Sequence, residues 1–126
     1  IMLFKIKTSK KTMDIFQRIA GSEQLQPFIL AKLSLALSIH SNVPLSKNDF
    51  DTDSYGLELN RQTITGEFDI LFKSLIEMLE NKHLEDDNYF RYYLKGHLDR
   101  GAVMLENEQK YGSNFLTHLL ELEKSI

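Results

Sequence analysis

The chain has no cysteine among its 126 residues. That absence excludes disulfide frameworks, thiolate zinc sites, cysteine-ligated iron–sulfur clusters, persulfide carriage and cysteine nucleophiles. A long apolar run is missing too: the strongest stretch, Leu33 to Ile39, is broken by Ser34 and Ser38, against the ~20 residues that a bilayer span requires. Lys5, Lys7, Lys10 and Lys11 interrupt the N-terminus before an apolar signal core can form, so no secretory signal is expected and the expected location is cytoplasmic, with no membrane partner. Ile1, ahead of Met2, is expected to be an added residue. No repeat or low-complexity segment is visible. Hydrophobic residues at 42% and charged residues at 26% are the proportions of a single soluble globular domain, predicted over 1–126.

Most catalytic signatures are lacking as well. His40, His83, His97 and His118 do not fall into metal-ligand spacing, and there is no G-x-S-x-G, Walker A or dinucleotide fingerprint. Asp49-Phe-Asp-Thr-Asp opens like a calcium loop, but Ser54 stands where its glycine belongs and Asn60 where its final glutamate belongs. Glu67 and Asp69 would point ~200° apart on a helix and cannot pair as an acid and a base. No catalytic residue, metal or cofactor is expected.

Charge is unevenly distributed. Residues 1–40 carry six basic side chains against Asp14 and Glu23, a balance of +4, while the other 86 carry nine against sixteen, a balance of −7; together they give the net −3. A basic N-terminal third followed by an acidic helical remainder (41–126) is a polarity that needs a reason.

The order of elements supplies one. Residues 2–8 alternate with period two, with Phe4 and Ile6 on one face and Lys5 and Lys7 on the other, which predicts a short strand. Ser9 or Thr8 caps a helix over about 10–20, stopped by Gly21. Pro27 opens a second helix to about His40 whose apolar residues cover nearly its whole circumference. Either one face of it packs within the protomer and another against a second chain, or it is the central core helix of a monomer. The middle, Asn42 to Asn60, is loop-rich, with Leu57 and Leu59 in a short strand or an extended loop. A third helix follows Thr65 with a Phe68, Leu71, Phe72, Leu75, Ile76, Leu79 stripe. A fourth starts near Asp87 and a fifth at Ser113. The fold class is mainly α: a short N-terminal strand, about five helices, and an N-terminal unit like a ribbon-helix-helix.

In such a unit two chains pair their strands and lay the ribbon in a DNA groove. Lys5, Lys7, Lys10, Lys11, Arg18 and Lys32 are the residues expected to meet phosphate. The competing reading is that these lysines only solvate an edge strand and keep it from aggregating. Gly96 and Gly101 sit inside an otherwise good helix and point to a close helix approach. His97 and Arg100 between them are structural or secondary binding residues, Arg100 pairing with a carboxylate such as Glu67 or Asp69 or reaching a phosphate oxygen bidentately. The run Tyr89, Phe90, Tyr92, Tyr93 reads as core plus surface, or as a base-stacking platform.

Three blocks, Phe28-Ile-Leu-Ala-Lys-Leu-Ser-Leu-Ala-Leu-Ser, Glu58-Leu-Asn-Arg-Gln-Thr-Ile-Thr-Gly-Glu-Phe-Asp and Lys95-Gly-His-Leu-Asp-Arg-Gly, resemble the DndE family, the small subunit of bacterial DNA phosphorothioation systems. The resemblance runs from Met2 to about Leu120. Lys32 stands where arginine is expected, and keeps the charge. The resemblance implies a subunit that binds double-stranded DNA, intact or nicked, without a catalytic step of its own. It would act beside a cysteine desulfurase, an iron–sulfur protein and an ATPase-like subunit that replace a phosphate oxygen by sulfur, and as a homo-oligomer, dimer or tetramer. An assembly scaffold that never touches DNA is the alternative from a second class. A phosphate-ester enzyme using Glu67, Asp69, His97 or Arg100 is a third.

Overall fold

The computed structural model describes residues 3–111; the helix expected from Ser113 lies outside them. The chain runs β1 (Lys5–Lys7), α1 (Lys10–Glu23), α2 (Pro27–His40), α3 (Lys47–Phe50), β2 (Glu58–Asn60), α4 (Arg61–Ile64), a 3-10 turn (Gly66–Phe68), α5 (Asp69–Glu80), α6 (Asp86–Asn88), a π-helical segment (Tyr89–Leu94) and α7 (Lys95–Tyr111). The last three follow one another directly, so the helix expected near Asp87 is a rod with a π segment in its first third. The architecture is mainly helical and a single domain. No helix among the described residues is long and apolar enough to cross a membrane.

The core is the long pairing of α2 with α7, closed on one side by α1. Phe16, Leu30, Leu35, Phe90, Leu98 and Leu105 are fully or almost fully buried there, each side chain contributing about 1.5–3 kcal/mol of transfer free energy. A side chain on Gly101 would collide with the Ser34 carbonyl of α2. The glycine therefore sets the helix spacing, and the expected close approach is observed.

The strand-helix-helix order at the N-terminus is present, but the reason for seeking a partner strand on a second chain falls away. β1 pairs antiparallel with β2 of the same chain, Lys5 opposite Asn60, Ile6 opposite Leu59 and Lys7 opposite Glu58. Leu59 thus belongs to a strand and is buried, while half-buried Leu57 lies just before β2. Ile6 is buried, as expected, but Phe4 is 65% exposed. It lies beyond the ladder, where period two no longer governs which way a side chain faces.

Ser9 caps α1, its hydroxyl accepting from the Thr12 N–H (3.1 Å). Gly21 does not stop this helix. Nothing lies near it, and an exposed glycine inside a helix costs only about 1 kcal/mol relative to alanine. The helix runs on to Glu23 and ends where Gln24 takes the left-handed conformation (φ 57°) and donates back to the Ala20 carbonyl.

Candidate nucleic-acid interface

The loop after α3 folds back onto the start of α1. Asp53 accepts from the Lys10 N–H (2.8 Å) and the Tyr55 N–H (2.9 Å); these backbone donors hold its carboxyl below the usual range. Beneath it the buried Asp99 of α7 accepts from the Ser9 N–H (3.1 Å), the Thr12 hydroxyl (2.7 Å), the Thr52 hydroxyl (2.9 Å) and Lys95 Nζ (2.8 Å). One carboxylate therefore locks the β1–α1 junction to α7 and to the loop. Asp49 is spent on capping α3 through the Ser46 N–H (2.8 Å). Two of the loop aspartates, Asp49 and Asp53, thus accept from backbone N–H groups at helix starts.

On this frame β1 and the first turn of α1 present their lysines outward. Lys5 is exposed and lies 3.7 Å from Glu58; Lys10 is exposed and pairs with Asp14 within its helix at 2.9 Å. Both are surface pairs of the kind worth ~0–1 kcal/mol. Lys7 and Lys11 are exposed, and no ion pair is recorded for either among the described residues. Arg18 is different: it bridges to α7 through Glu106 (3.0 Å) and Gln109 (2.7 Å), tying α1 down. Lys32 lies on α2 with its ammonium 5.6 Å from the Phe28 ring centroid. Of the six residues predicted to meet phosphate, Lys5 and Lys7 border one cavity, Lys11 borders another whose lining includes Asp49, Asp51, Asp53 and Asp99, and Lys10 is paired within its own helix. Arg18 and Lys32 stand apart from them, on the later part of α1 and on α2.

His97 and Arg100 are both engaged by other parts of the fold. Arg100 donates to the Ser38 carbonyl (3.0 Å) in the last turn of α2 and to the Val43 (2.7 Å) and Pro44 (3.2 Å) carbonyls of the loop that follows, a cation set at the C-terminal end of the helix. The expected pairing with Glu67 or Asp69 does not occur; the nearest carboxylate is Asp49 at 3.7 Å. Arg100 Nε also donates to the Ser38 hydroxyl (2.8 Å). That hydroxyl in turn donates to His97 Nδ1 (2.8 Å), leaving Nε2–H to donate to Glu80 (3.1 Å). Burial first, and the Arg100 guanidinium second, push the imidazole down to about 4, against the opposing pull of Asp49. The serine, histidine and carboxylate in line look like a hydrolytic triad, but Ser38 and His97 are fully buried.

Arg61 is what sequence reasoning missed. Its guanidinium donates to Asp69 (2.6 and 3.1 Å), to Asp86 (2.7 and 3.2 Å) and to the Leu3 carbonyl (2.9 Å), and lies 4.6 Å from the Phe90 ring centroid. Burial alone would lower its pKa, but the two carboxylates outweigh that and raise it. Asp69, which burial would push up, is held below its usual range by Arg61 and Thr65. The neighbours of Arg61 complete the block: Leu59 is buried, Asn60 caps α4 by accepting from the Gln62 N–H (2.9 Å), and Thr65 donates to Asp69 (2.6 Å). The residues that carry the resemblance therefore build the scaffold. Arg91 and Lys95, which a split of the chain at residue 40 assigned to its acidic part, border the same cavity as Lys5 and Lys7. Their signal was the four-residue spacing that puts both on one helix face.

The DndE family model, described as "DNA sulphur modification protein DndE", matches residues 5–113. No curated protein matches the sequence. Two solved structures share the fold. The crystal structure of DndE from Escherichia coli B7A involved in DNA phosphorothioation modification is 22% identical, with a TM-score of 0.65 over 81% of this chain and 97% of that one. The crystal structure of a DndE G21/24K mutant involved in DNA phosphorothioation is 21% identical, with a TM-score of 0.65 over 82% and 98%. With its helical rod, capped loop and Arg61 hub set in that fold, and the family model spanning all but its ends, the chain belongs to the DndE family of DNA sulphur modification proteins.

Proposed function

We propose that this protein is the DNA-contacting subunit of a DNA phosphorothioation complex, holding the duplex by its phosphates while partner subunits carry the sulfur. The observation that carries the reading is the exposure of Lys5 and Lys7 on β1 and of Lys10 and Lys11 in the first turn of α1. They sit there in a chain whose net charge is −3. Long, mobile ammonium groups without a shared acidic partner suit backbone phosphate, which positions a protein on DNA without reading its sequence. A chain without cysteine cannot hold activated sulfur as a persulfide, so the division of labour with a desulfurase and an iron–sulfur protein fits. Of the residues weighed for phosphate-ester chemistry, Asp69 is engaged by Arg61, His97 is buried against Glu80 and Arg100 is held by the Ser38 carbonyl, which favours this reading over an enzyme; Glu67 is exposed.

The test is fluorescence anisotropy on intact, nicked and single-stranded oligonucleotides across a salt series, with light scattering alongside to distinguish a monomer from a dimer or tetramer. Lys10→Glu with Lys11→Glu should weaken binding to every sequence and flatten the salt dependence. Unchanged affinity and slope would sink the assignment.

A second reading, an assembly scaffold, is favoured by a separate observation. Phe68, Leu71, Leu75 and Met78 are 57, 53, 38 and 77% exposed and recur at helical spacing on the 3-10 turn and α5. A contiguous bare apolar stripe is a feature of protein contact surfaces. Partner binding that survives loss of the lysines but not of this stripe would favour it.

A further inference from the structure

A cavity of about 190 Å³ opens between β1 and the helical rod, lined by Leu3, Lys5, Ile6, Lys7, Ser54, Phe90, Arg91 and Lys95. Four of these residues are cationic and none is a carboxylate. We propose that it is a phosphate-binding cleft, taking one phosphate group of a nucleic-acid strand or of a free oligophosphate. The proposal rests on the DNA-contact reading above and adds to it a specific place and two further residues, Arg91 and Lys95.

Three observations converge. First, the two walls come from opposite parts of the chain: Lys5 and Lys7 from the basic N-terminus, Arg91 and Lys95 from the acidic remainder. The fold thus concentrates positive charge that the sequence disperses. Second, the wall carrying Arg91 is the π-helical segment Tyr89–Leu94. Wide turns of this kind are rare and recur at functional sites, because the extra residue re-aims the side chains around it. Here Tyr89, Phe90 and Leu94 stay buried while Arg91 is exposed, and Arg91 and Lys95 both border the cleft.

Third, the present partners of these cations are weak where exchange is needed and strong where a fixed charge is needed. Lys5 faces Glu58 at 3.7 Å and Arg91 faces Asp87 at 3.2 Å, all four side chains at least half exposed. Surface pairs of this kind give way readily to a phosphate, which accepts charge-assisted bonds from several donors at once. Lys95 is only 12% exposed and is held by Asp99 (2.8 Å), the Thr52 hydroxyl (2.6 Å) and the Asp53 carbonyl (2.8 Å). It fixes the position of the inner wall. Lys7 makes no ion pair among the described residues and is the first donor free to meet a ligand, and Ser54 and buried Phe90 complete the lining.

The test compares Lys7→Gln, Arg91→Gln and, as a control remote from the cleft, Lys110→Gln. All are exposed positions whose folding is checked by thermal melting. Anisotropy with a labelled duplex over a salt series reads DNA binding, and calorimetry with inorganic pyrophosphate reads the free phosphate. Lys7→Gln and Arg91→Gln should each lose about tenfold in DNA affinity and lower the salt slope by about one, both should lose pyrophosphate binding, and Lys110→Gln should change neither. If Arg91→Gln binds DNA and pyrophosphate like the parent while Lys10→Glu with Lys11→Glu does not bind DNA, the cleft is refuted and the DNA reading stands. If the parent binds no DNA but binds pyrophosphate through Lys7 and Arg91, the DNA reading falls and the cleft stands as a site for free phosphate. Absence of both signals overturns the cleft.

Discussion

Helices α2 and α5 invert the usual relation between polarity and burial. In α2, where apolar residues surround the axis, the two serines that interrupt the run lie on its most intimate contact. Ser34 and Ser38 are fully buried, Ser34 satisfying itself on the Leu30 carbonyl (2.8 Å) while its own carbonyl meets Gly101. Ser38 links Arg100 to His97. In α5, whose stripe is far clearer in sequence, Ile76 alone is fully covered and much of the stripe faces solvent. Hydrophobic periodicity identifies a face that gains from burial; it does not say what covers it. Close helix approach is set by small residues, and a small polar residue serves if its hydroxyl finds a partner within reach.

The sharpest way to break this contrast is to enlarge Gly101. Gly101→Val should cost more than about 3 kcal/mol and leave little folded protein at 37 °C, because the collision is with the backbone of α2 and cannot be relieved by a rotamer change. Chemical denaturation of the purified chain reads it; a loss under about 1 kcal/mol would mean that α2 and α7 are not so close.

Next in size is a pH effect confined to the α2–α7 side. His97 is lowered in the fold to about 4 from an unfolded value near 6.5. Below 6.5 the unfolded chain binds a proton that the native one refuses. Stability is therefore complete above about 6.5 and falls as pH drops toward 4, by a loss on the order of 3 kcal/mol. Denaturation midpoints from pH 7.5 to 4 should show the decline, and His97→Asn, less stable at neutral pH, should flatten it. An equal decline in the variant would remove His97 as its cause.

The smallest effects belong to α5 and sharpen the comparison directly. Ile76→Val, on its covered side, should cost about 1 kcal/mol. Leu71→Ser with Met78→Ser, on the bare side, should change stability by about 0.5 kcal/mol or less. A loss of 2 kcal/mol from the bare-side pair in the isolated chain would show that the stripe is covered after all.

Much of the frame could be read from the residues. Ser9 as a cap, α2 from Pro27 to His40 and Gly101 as a packing position each depend on local chemistry or on one steric fact. What escaped were choices made between distant segments. Ile6 announces a strand, but nothing near it announces that Leu59 is its partner. Arg61 looks like one more surface cation until Asp69, Asp86 and Phe90 surround it. The π segment has no periodic signature, since one additional residue per turn over six positions is lost in the aromatic run Tyr89 to Tyr93. Arg91 and Lys95 were masked by counting charge along the chain instead of across the fold.

The anchoring of the β1–α1 junction by Asp99 bears on when this molecule acquires its basic face. Ser9 and Asp99 are 90 positions apart in the chain, and the Arg18 bridge to Glu106 closes a span of 88. During synthesis the lysines emerge first, yet the contacts that orient them are supplied by nearly the last described residues. The entropy of closing such long loops is recovered only when α7 docks. A partly made or truncated chain thus carries the positive residues without the arrangement, and display of the ordered basic face reports that folding is complete.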